Sequence, residues 1–141
     1  MVVFVGFDDT LCLHSRSVAS KDFTHGGNPY VDSKLNSILV DVLQRYKTKG
    51  RRIVVLTAAS SFMLEHKVKY CQEQCPGLID EFVSVSIDCS KAEYIQQFIE
   101  AEESIVFIDD SGKDRAEVEK LKGVAVYSPQ EIMLIETSLI R

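Results

Sequence analysis

The sequence predicts an α/β fold, a three-layer, Rossmann-like arrangement with a parallel sheet of about five strands between two layers of helices. Short, nearly continuous apolar runs rich in β-branched residues alternate with stretches of helical spacing. Continuous apolar runs are typical of strands that are covered on both faces. Such alternation favours right-handed crossovers that place helices on both sides of a parallel sheet. The length of 141 residues fits a single domain.

Five runs have the composition of buried strands, with valine, isoleucine and phenylalanine at most positions. We expect strands at Val2–Phe7, Arg52–Leu56, Phe82–Ser86, Ile105–Ile108 and Val124–Tyr127.

The stretches between these runs have the three-four spacing of amphipathic helices and end at glycine or proline. The last helix is expected to open at Ser128-Pro129, with serine as its N-cap and proline at its first position. The other helices are predicted at Leu35–Tyr46, Phe62–Cys75, Ser90–Ala101 and Gly112–Lys122.

The domain prediction is a single unit over residues 1–141, with one irregular segment at Cys12–Asn28. That segment is rich in Ser, His, Gly and Asn and is too short for a cap domain of its own, so we expect a minimal cap or flap. Its polar side chains His14, Arg16, Lys21 and His25 are candidates for contact with a substrate, although solvated loop residues are the simpler interpretation.

Composition restricts the classes of partner. The net charge of −5 gives no reason to expect a broad nucleic-acid or membrane surface. No apolar run approaches the roughly 20 residues of a membrane span, and the N-terminus lacks the pattern of a signal peptide. We therefore expect a cytoplasmic protein. The sequence does not indicate an oligomeric state.

Polar residues follow the predicted strands at the points where the strands end. The ends of parallel strands meet at one edge of a sheet, where ligands bind. Carboxylates are the ligands that Mg²⁺ prefers, and a hydroxyl with an ammonium group suits phosphoryl oxygens. The residues concerned are Asp8, Asp9 and Thr10 after the first strand, Thr57 after the second, Lys91 after the third, and Asp109 with Asp110 after the fourth.

The order of these segments resembles the haloacid dehalogenase (HAD) superfamily of magnesium-dependent phosphatases over nearly the whole chain. The family's four motifs are an apolar strand before Asp-x-Asp-x-Thr, an apolar strand ending in Thr or Ser, a lysine, and an apolar strand ending in two acidic residues. The matching segments are Val2–Leu11, Ile53–Thr57, Lys91 and Ile105–Asp110.

The resemblance implies roles for individual residues. Asp8 would be the general acid/base, Thr57 and Lys91 would complete the catalytic set, and the metal ligands for Mg²⁺ would be Asp8, Asp109 and Asp110. The substrate, a phosphorylated small molecule or macromolecule, would contact Asp9, Thr10, Thr57, Ala58 and Lys91. Simpler structural interpretations also exist: a helix cap for Thr57, an exposed first-turn lysine for Lys91, turn formers or helix caps for Asp109 and Asp110, and loop carboxylates for Asp8 and Asp9.

The chain departs from the family at Gly6, where the resemblance places the nucleophilic aspartate. Glycine can neither attack phosphorus nor bind the metal, so we expect weak activity or none. A register shifted by two residues would make Asp8 the nucleophile, but the following residues, Leu11-Cys12, do not suit that register.

Three explanations for Gly6 stay open: a natural pseudoenzyme, an altered form of an ordinary phosphatase, or hydrolysis through Asp8 or a metal-bound water. The leading function is an impaired phosphomonoester phosphatase domain, and the alternative is a noncatalytic module that binds a phosphorylated ligand or a protein. A receiver domain is disfavoured because the third strand ends in Ser84-Val85-Ser86. No Gly-x-Gly-x-x-Gly follows any strand, which disfavours a dinucleotide enzyme.

Overall fold

A computed structural model describes residues 1–14, 28–86, 88–102 and 104–140, with the side chains of 139 and 140 left aside. Its main element is a five-stranded parallel sheet, which confirms the predicted fold class. The sheet strands are β1 (Val2–Val5), β4 (Arg52–Ala58), β5 (Glu81–Val85), β6 (Ile105–Ile108) and β7 (Val124–Tyr127). Their order in the sheet is β5-β4-β1-β6-β7.

The central strand β1 is buried along its whole length, as its uninterrupted apolar sequence predicts. It pairs in parallel with β4 on one side, where Val5 lies opposite Val55, and with β6 on the other, where Val5 lies opposite Ile108. The residues that follow these three strands are therefore brought to the same edge of the sheet.

Helices cover both faces of the sheet. The helices are α1 (Ser37–Lys47), α2 (Ser61–Gln74), α3 (Lys91–Gln96), α4 (Gly112–Glu119) and α5 (Ile132–Ile140). On one face Val3 and Val5 pack in a core with residues of α1, α2 and α5, and on the other Val2 and Phe4 pack with residues of α3 and α4. Alternation of side chains along β1 therefore supplies both cores.

Serine caps fix where three of the helices begin. The side chains of Ser60, Ser90 and Ser111 accept hydrogen bonds from backbone N–H groups near the starts of α2, α3 and α4. Such caps satisfy donors that the first turn leaves unpaired. All three lie near the edge of the sheet where the strands end.

Several element boundaries differ from the sequence-based predictions. The strand β1 ends at Val5 because the chain turns immediately afterwards, whereas β4 continues two residues further than expected and includes Thr57. The helix α3 is shorter than predicted and is followed by turns. The helix α5 begins at Ile132, so Ser128 is not its N-cap. Instead the Ser128 N–H donates to Glu131 Oε1 and the chain makes a turn.

Two short strands, β2 (Cys12–Leu13) and β3 (Lys34–Leu35), form an antiparallel pair that the sequence analysis did not predict. They bracket the segment expected to form a minimal cap. Residues 15–27 of that segment, including the candidates Arg16, Lys21 and His25, lie outside the described residues. No helix in the described part of the chain has the length and apolar character needed to cross a membrane.

Candidate functional site

The loop after β1 is folded tightly around one carbonyl group. The carbonyl oxygen of Phe7 accepts hydrogen bonds from the N–H groups of Thr10, Leu11 and Cys12 at 3.2, 3.1 and 3.0 Å. Asp9 adopts a left-handed backbone conformation with φ of 55°, which aspartate tolerates better than most residues. The loop fixes the positions of Asp8 and Thr10 relative to the sheet.

The Asp8 carboxylate is held by two buried nitrogen groups. Lys67 Nζ donates to Asp8 Oδ2 at 3.0 Å, and His14 Nε2 lies 2.8 Å from Asp8 Oδ1. The side chains of Lys67 and His14 are only 2% and 1% exposed, whereas that of Asp8 is 34% exposed. Asp8 therefore faces solvent in front of two partners that solvent hardly reaches.

Both partners of Asp8 continue into further hydrogen bonds. Lys67 Nζ donates to Thr57 Oγ1 at 2.6 Å, and His14 Nδ1 lies 2.8 Å from Ser33 Oγ. A continuous chain of contacts thus runs from the turn before β3, through Asp8, to the end of β4.

A second ion-pair cluster surrounds Lys91 at the start of α3. Lys91 Nζ lies 2.7 Å from Asp109 Oδ2 and 3.1 Å from Asp114 Oδ2. Burial alone would lower the pKa of Lys91, but the two carboxylates outweigh it and the pKa is raised. Asp109 is 2% exposed, and its Oδ1 accepts a hydrogen bond from the Ser111 N–H at 2.9 Å.

Asp109 occupies the space beside Gly6. A Cβ atom added to Gly6 would lie 2.6 Å from Asp109 Oδ2 and 2.9 Å from its Cγ, closer than real Cβ contacts. The Asp109 carboxylate therefore lies where the side chain of a non-glycine residue 6 would begin, and Lys91 holds it there.

Asp110 joins the loop after β1 to the end of β6. The Asp110 N–H donates to Thr10 Oγ1 at 3.1 Å, and Thr10 is fully buried. Desolvation, and then the neighbouring carboxylates of Asp109 and Asp9, raise the pKa of Asp110 to about 6, although its side chain reaches solvent. Negative charge is therefore concentrated at this edge.

The structure brings most of the candidate residues into three contacts: Asp8 with Thr57 through Lys67, Lys91 with Asp109, and Thr10 with Asp110. Two further candidates lie at the rim. The Asp9 carboxylate accepts a hydrogen bond from the His14 N–H at 3.1 Å, and Ala58 is exposed at the end of β4.

The main residue that the sequence analysis missed is Lys67. A signal for it exists, because Lys67 lies three and four residues before Tyr70 and Cys71, which are both buried. A lysine on the buried stripe of a helix indicates an internal partner. Ser33 and Asp114 were also missed, and no pattern around them distinguishes them from ordinary loop and helix residues.

Only some of the carboxylates predicted as metal ligands are placed to bind a divalent cation. Among the described residues, no three His, Cys, Asp or Glu side chains are grouped as a metal site. Each oxygen of Asp8 and each oxygen of Asp109 already contacts a nitrogen, and Gly6 supplies no ligand. The exposed carboxylate of Asp110, beside Asp109, is the part that fits best, because Mg²⁺ is commonly held by one or two carboxylates together with waters and a phosphate.

Neither a protein-family model nor a curated protein sequence matches the chain. Solved structures do share its fold. One is a chain of the Pnkp1/Rnl/Hen1 RNA repair complex, with a TM-score of 0.64 and 14% identity over 90% of this chain and 41% of that one.

A second similar structure is a protein from Lactobacillus delbrueckii subsp. bulgaricus provisionally assigned as a phosphoglycolate phosphatase. The TM-score is 0.52 and the identity 12%, over 70% of this chain and 42% of that one. This chain thus spans about two fifths of each of these proteins. At such low identity the likeness concerns the fold alone.

Proposed function

We propose that this chain carries a magnesium-dependent phosphomonoester site of the HAD phosphohydrolase type whose hydrolysis is impaired at residue 6. The observation that carries the proposal is the pairing of Gly6 with Asp109. Residue 6 has no side chain to attack phosphorus, and the Asp109 carboxylate lies within 2.6 Å of where its Cβ would be. Other candidate groups of the site are present and joined by hydrogen bonds: Asp8 to Thr57 through Lys67, Lys91 to Asp109, and Thr10 to Asp110.

The phosphoryl group would bind at the ends of β1, β4 and β6. Thr57 provides a hydroxyl there, and Lys91 provides an ammonium group on α3. Asp109 and Asp110 would hold Mg²⁺, which when bound offsets the negative charge of phosphoryl oxygens. A dianionic ligand needs that charge, because this edge otherwise carries more carboxylates than cations.

The ligand would be a phosphorylated small molecule or macromolecule. The noncatalytic alternative, a module that binds such a ligand without hydrolysing it, is favoured by the same Gly6–Asp109 contact. Turnover and binding measured separately distinguish the two functions.

The test is hydrolysis of p-nitrophenyl phosphate with Mg²⁺ by the chain as it stands and by Gly6→Asp, with Gly6→Ala as the matched control. Both variants add a Cβ and displace Asp109, but only Gly6→Asp adds a nucleophile. We expect little turnover by the unaltered chain and by Gly6→Ala, and a gain of at least about a hundredfold for Gly6→Asp.

Three results would contradict the proposal in different ways. Full turnover by the unaltered chain would show that residue 6 does not impair hydrolysis. No turnover by Gly6→Asp, together with Mg²⁺-dependent phosphate binding in calorimetry, would favour the noncatalytic module. If no variant hydrolyses the substrate and none binds phosphate, both functions are excluded.

A further inference from the structure

The buried lysine of α2 is not accounted for by the function proposed above. Lys67 is 1% exposed, and its Nζ lies 5.3 Å from the centre of the Phe7 ring. A buried ammonium group is costly unless its donors are satisfied. Its partners are Thr57 Oγ1 at 2.6 Å and Asp8 Oδ2 at 3.0 Å.

The chemistry of the lysine decides the direction of the contact with Thr57. An ammonium group has three donors and no acceptor, so Thr57 Oγ1 must accept. The hydrogen of the Thr57 hydroxyl therefore cannot point at Lys67 and is available for another acceptor. Among the described residues, the Thr57 hydroxyl donates to no acceptor, although Thr57 is only 4% exposed.

The position of Thr57 gives that hydrogen a direction. Thr57 lies near the end of β4, beside the exposed Ala58 and at the edge where β1 and β6 also end. Lys67 approaches the hydroxyl from α2, within the core that includes Phe7 and Tyr70. Because Lys67 contacts Thr57 Oγ1 from the core side, the hydrogen of the Thr57 hydroxyl is oriented away from the core, toward the edge of the sheet.

We propose that Lys67 is a positioning residue, which holds the Thr57 hydroxyl as a donor for a phosphoryl oxygen without touching the ligand itself. Lys67 occupies the acceptor side of Thr57 Oγ1 and at the same time anchors Asp8, so both groups keep one orientation. This inference rests on the phosphate site proposed above. It adds a residue of α2, outside the motifs, on which ligand affinity depends.

A double-mutant cycle tests this dependence, with inorganic phosphate and Mg²⁺ as the probe and calorimetry as the readout. The variants are Lys67→Met, Thr57→Val and the combination. Each single variant is expected to weaken binding about tenfold, the worth of one hydrogen bond to a charged group. The combination is expected to bind no more weakly than Thr57→Val alone, because Lys67 acts through the hydroxyl.

Two outcomes would overturn the inference. Unchanged affinity in Lys67→Met would show that the hydroxyl needs no orientation by lysine. If Lys67→Met weakens phosphate binding by the same factor in the unaltered chain and in Thr57→Val, the effect is a general disturbance of the fold. Lys67→Gln, which keeps a donor, should recover part of the affinity, and it serves as the second variant if Lys67→Met does not fold.

A ligand-free measurement keeps this inference separate from the proposed function. Three-bond scalar couplings report the χ1 rotamer of Thr57 by NMR. We expect a single rotamer in the unaltered chain and averaging among rotamers in Lys67→Met, because the anchoring contact is lost. A rotamer that stays fixed in Lys67→Met would overturn the positioning role, even if phosphate proves not to bind at all.

Discussion

A methyl group on residue 6 forces the Asp109 carboxylate to move. The added Cβ would lie 2.6 Å from Asp109 Oδ2 and 3.3 Å from Oδ1. An ordinary contact requires Oδ2 to retreat by about 0.8 Å. That shift disturbs both the 2.7 Å contact with Lys91 and the 2.9 Å hydrogen bond from the Ser111 N–H.

The magnitude follows from these contacts. A hydrogen bond to a charged group contributes about 1.5–3 kcal/mol, and Asp109 is nearly fully buried, so solvent cannot replace the lost partner. Gly6 lies outside the positive-φ region, so alanine also gains about 0.4–1 kcal/mol by restricting the unfolded chain. We expect Gly6→Ala to lower the free energy of unfolding by about 0.5–2.5 kcal/mol.

Urea denaturation measures this change, and the chain offers a matched control in Gly112→Ala. The nearest atom to a Cβ at Gly112 is Arg115 Nη2, at 3.7 Å, so no clash arises. That control should be neutral or slightly stabilising, since alanine favours a helix more than glycine does.

The cost of Gly6→Ala should disappear when Asp109→Ala removes the clashing carboxylate. The steric argument is refuted if the free energy of unfolding of Gly6→Ala lies within about 0.5 kcal/mol of that of the unaltered chain. It is also refuted if Gly6→Ala destabilises the Asp109→Ala variant as much as it destabilises the unaltered chain.

Two further predictions concern the ion pairs. Lys91→Met leaves the Asp109 carboxylate buried without its cation, and we expect it to lower the free energy of unfolding, measured by urea denaturation, by about 3–5 kcal/mol. Asp114→Asn alters a partly exposed partner of the same lysine and should lower it by less than about 1 kcal/mol. Desolvation would raise the pKa of Asp80, but hydrogen bonds from Lys47 and a backbone N–H lower it. Its stabilisation is therefore present above the unfolded-state pKa and lost as pH falls through the folded-state pKa, so Asp80→Asn should flatten the acid side of the stability–pH curve.

The sheet could be predicted from sequence because burial on both faces leaves an uninterrupted apolar signature. Strand β1 and strand β6 illustrate this, since every residue of both is buried. Boundaries were harder, because hydrogen bonding decides them rather than composition. Helix α5 starts at Ile132, after a separate turn that the Glu131 N–H closes on the Ser128 carbonyl, and helix propensity alone does not reveal that turn.

Contacts within the site were only partly predictable. Motif order indicated that Asp8, Thr57, Lys91 and Asp109 would lie at the ends of neighbouring strands. It could not indicate that a helix would insert Lys67 between two of them, because that contact joins residues 59 and 10 positions apart. Long-range side-chain contacts depend on the packing of whole elements, which local patterns do not specify.

The short pair of strands β2 and β3 has a consequence for how this chain can change. Cys12 pairs with Leu35 and Leu13 with Lys34, so the two points of the chain that flank residues 14–33 are held side by side. The entropy of closing such a stretch rises by only about 0.6 kcal/mol for each doubling of its length. Whole modules could therefore be inserted there by recombination, or a reporter grafted by design, while the parallel sheet keeps its pairing.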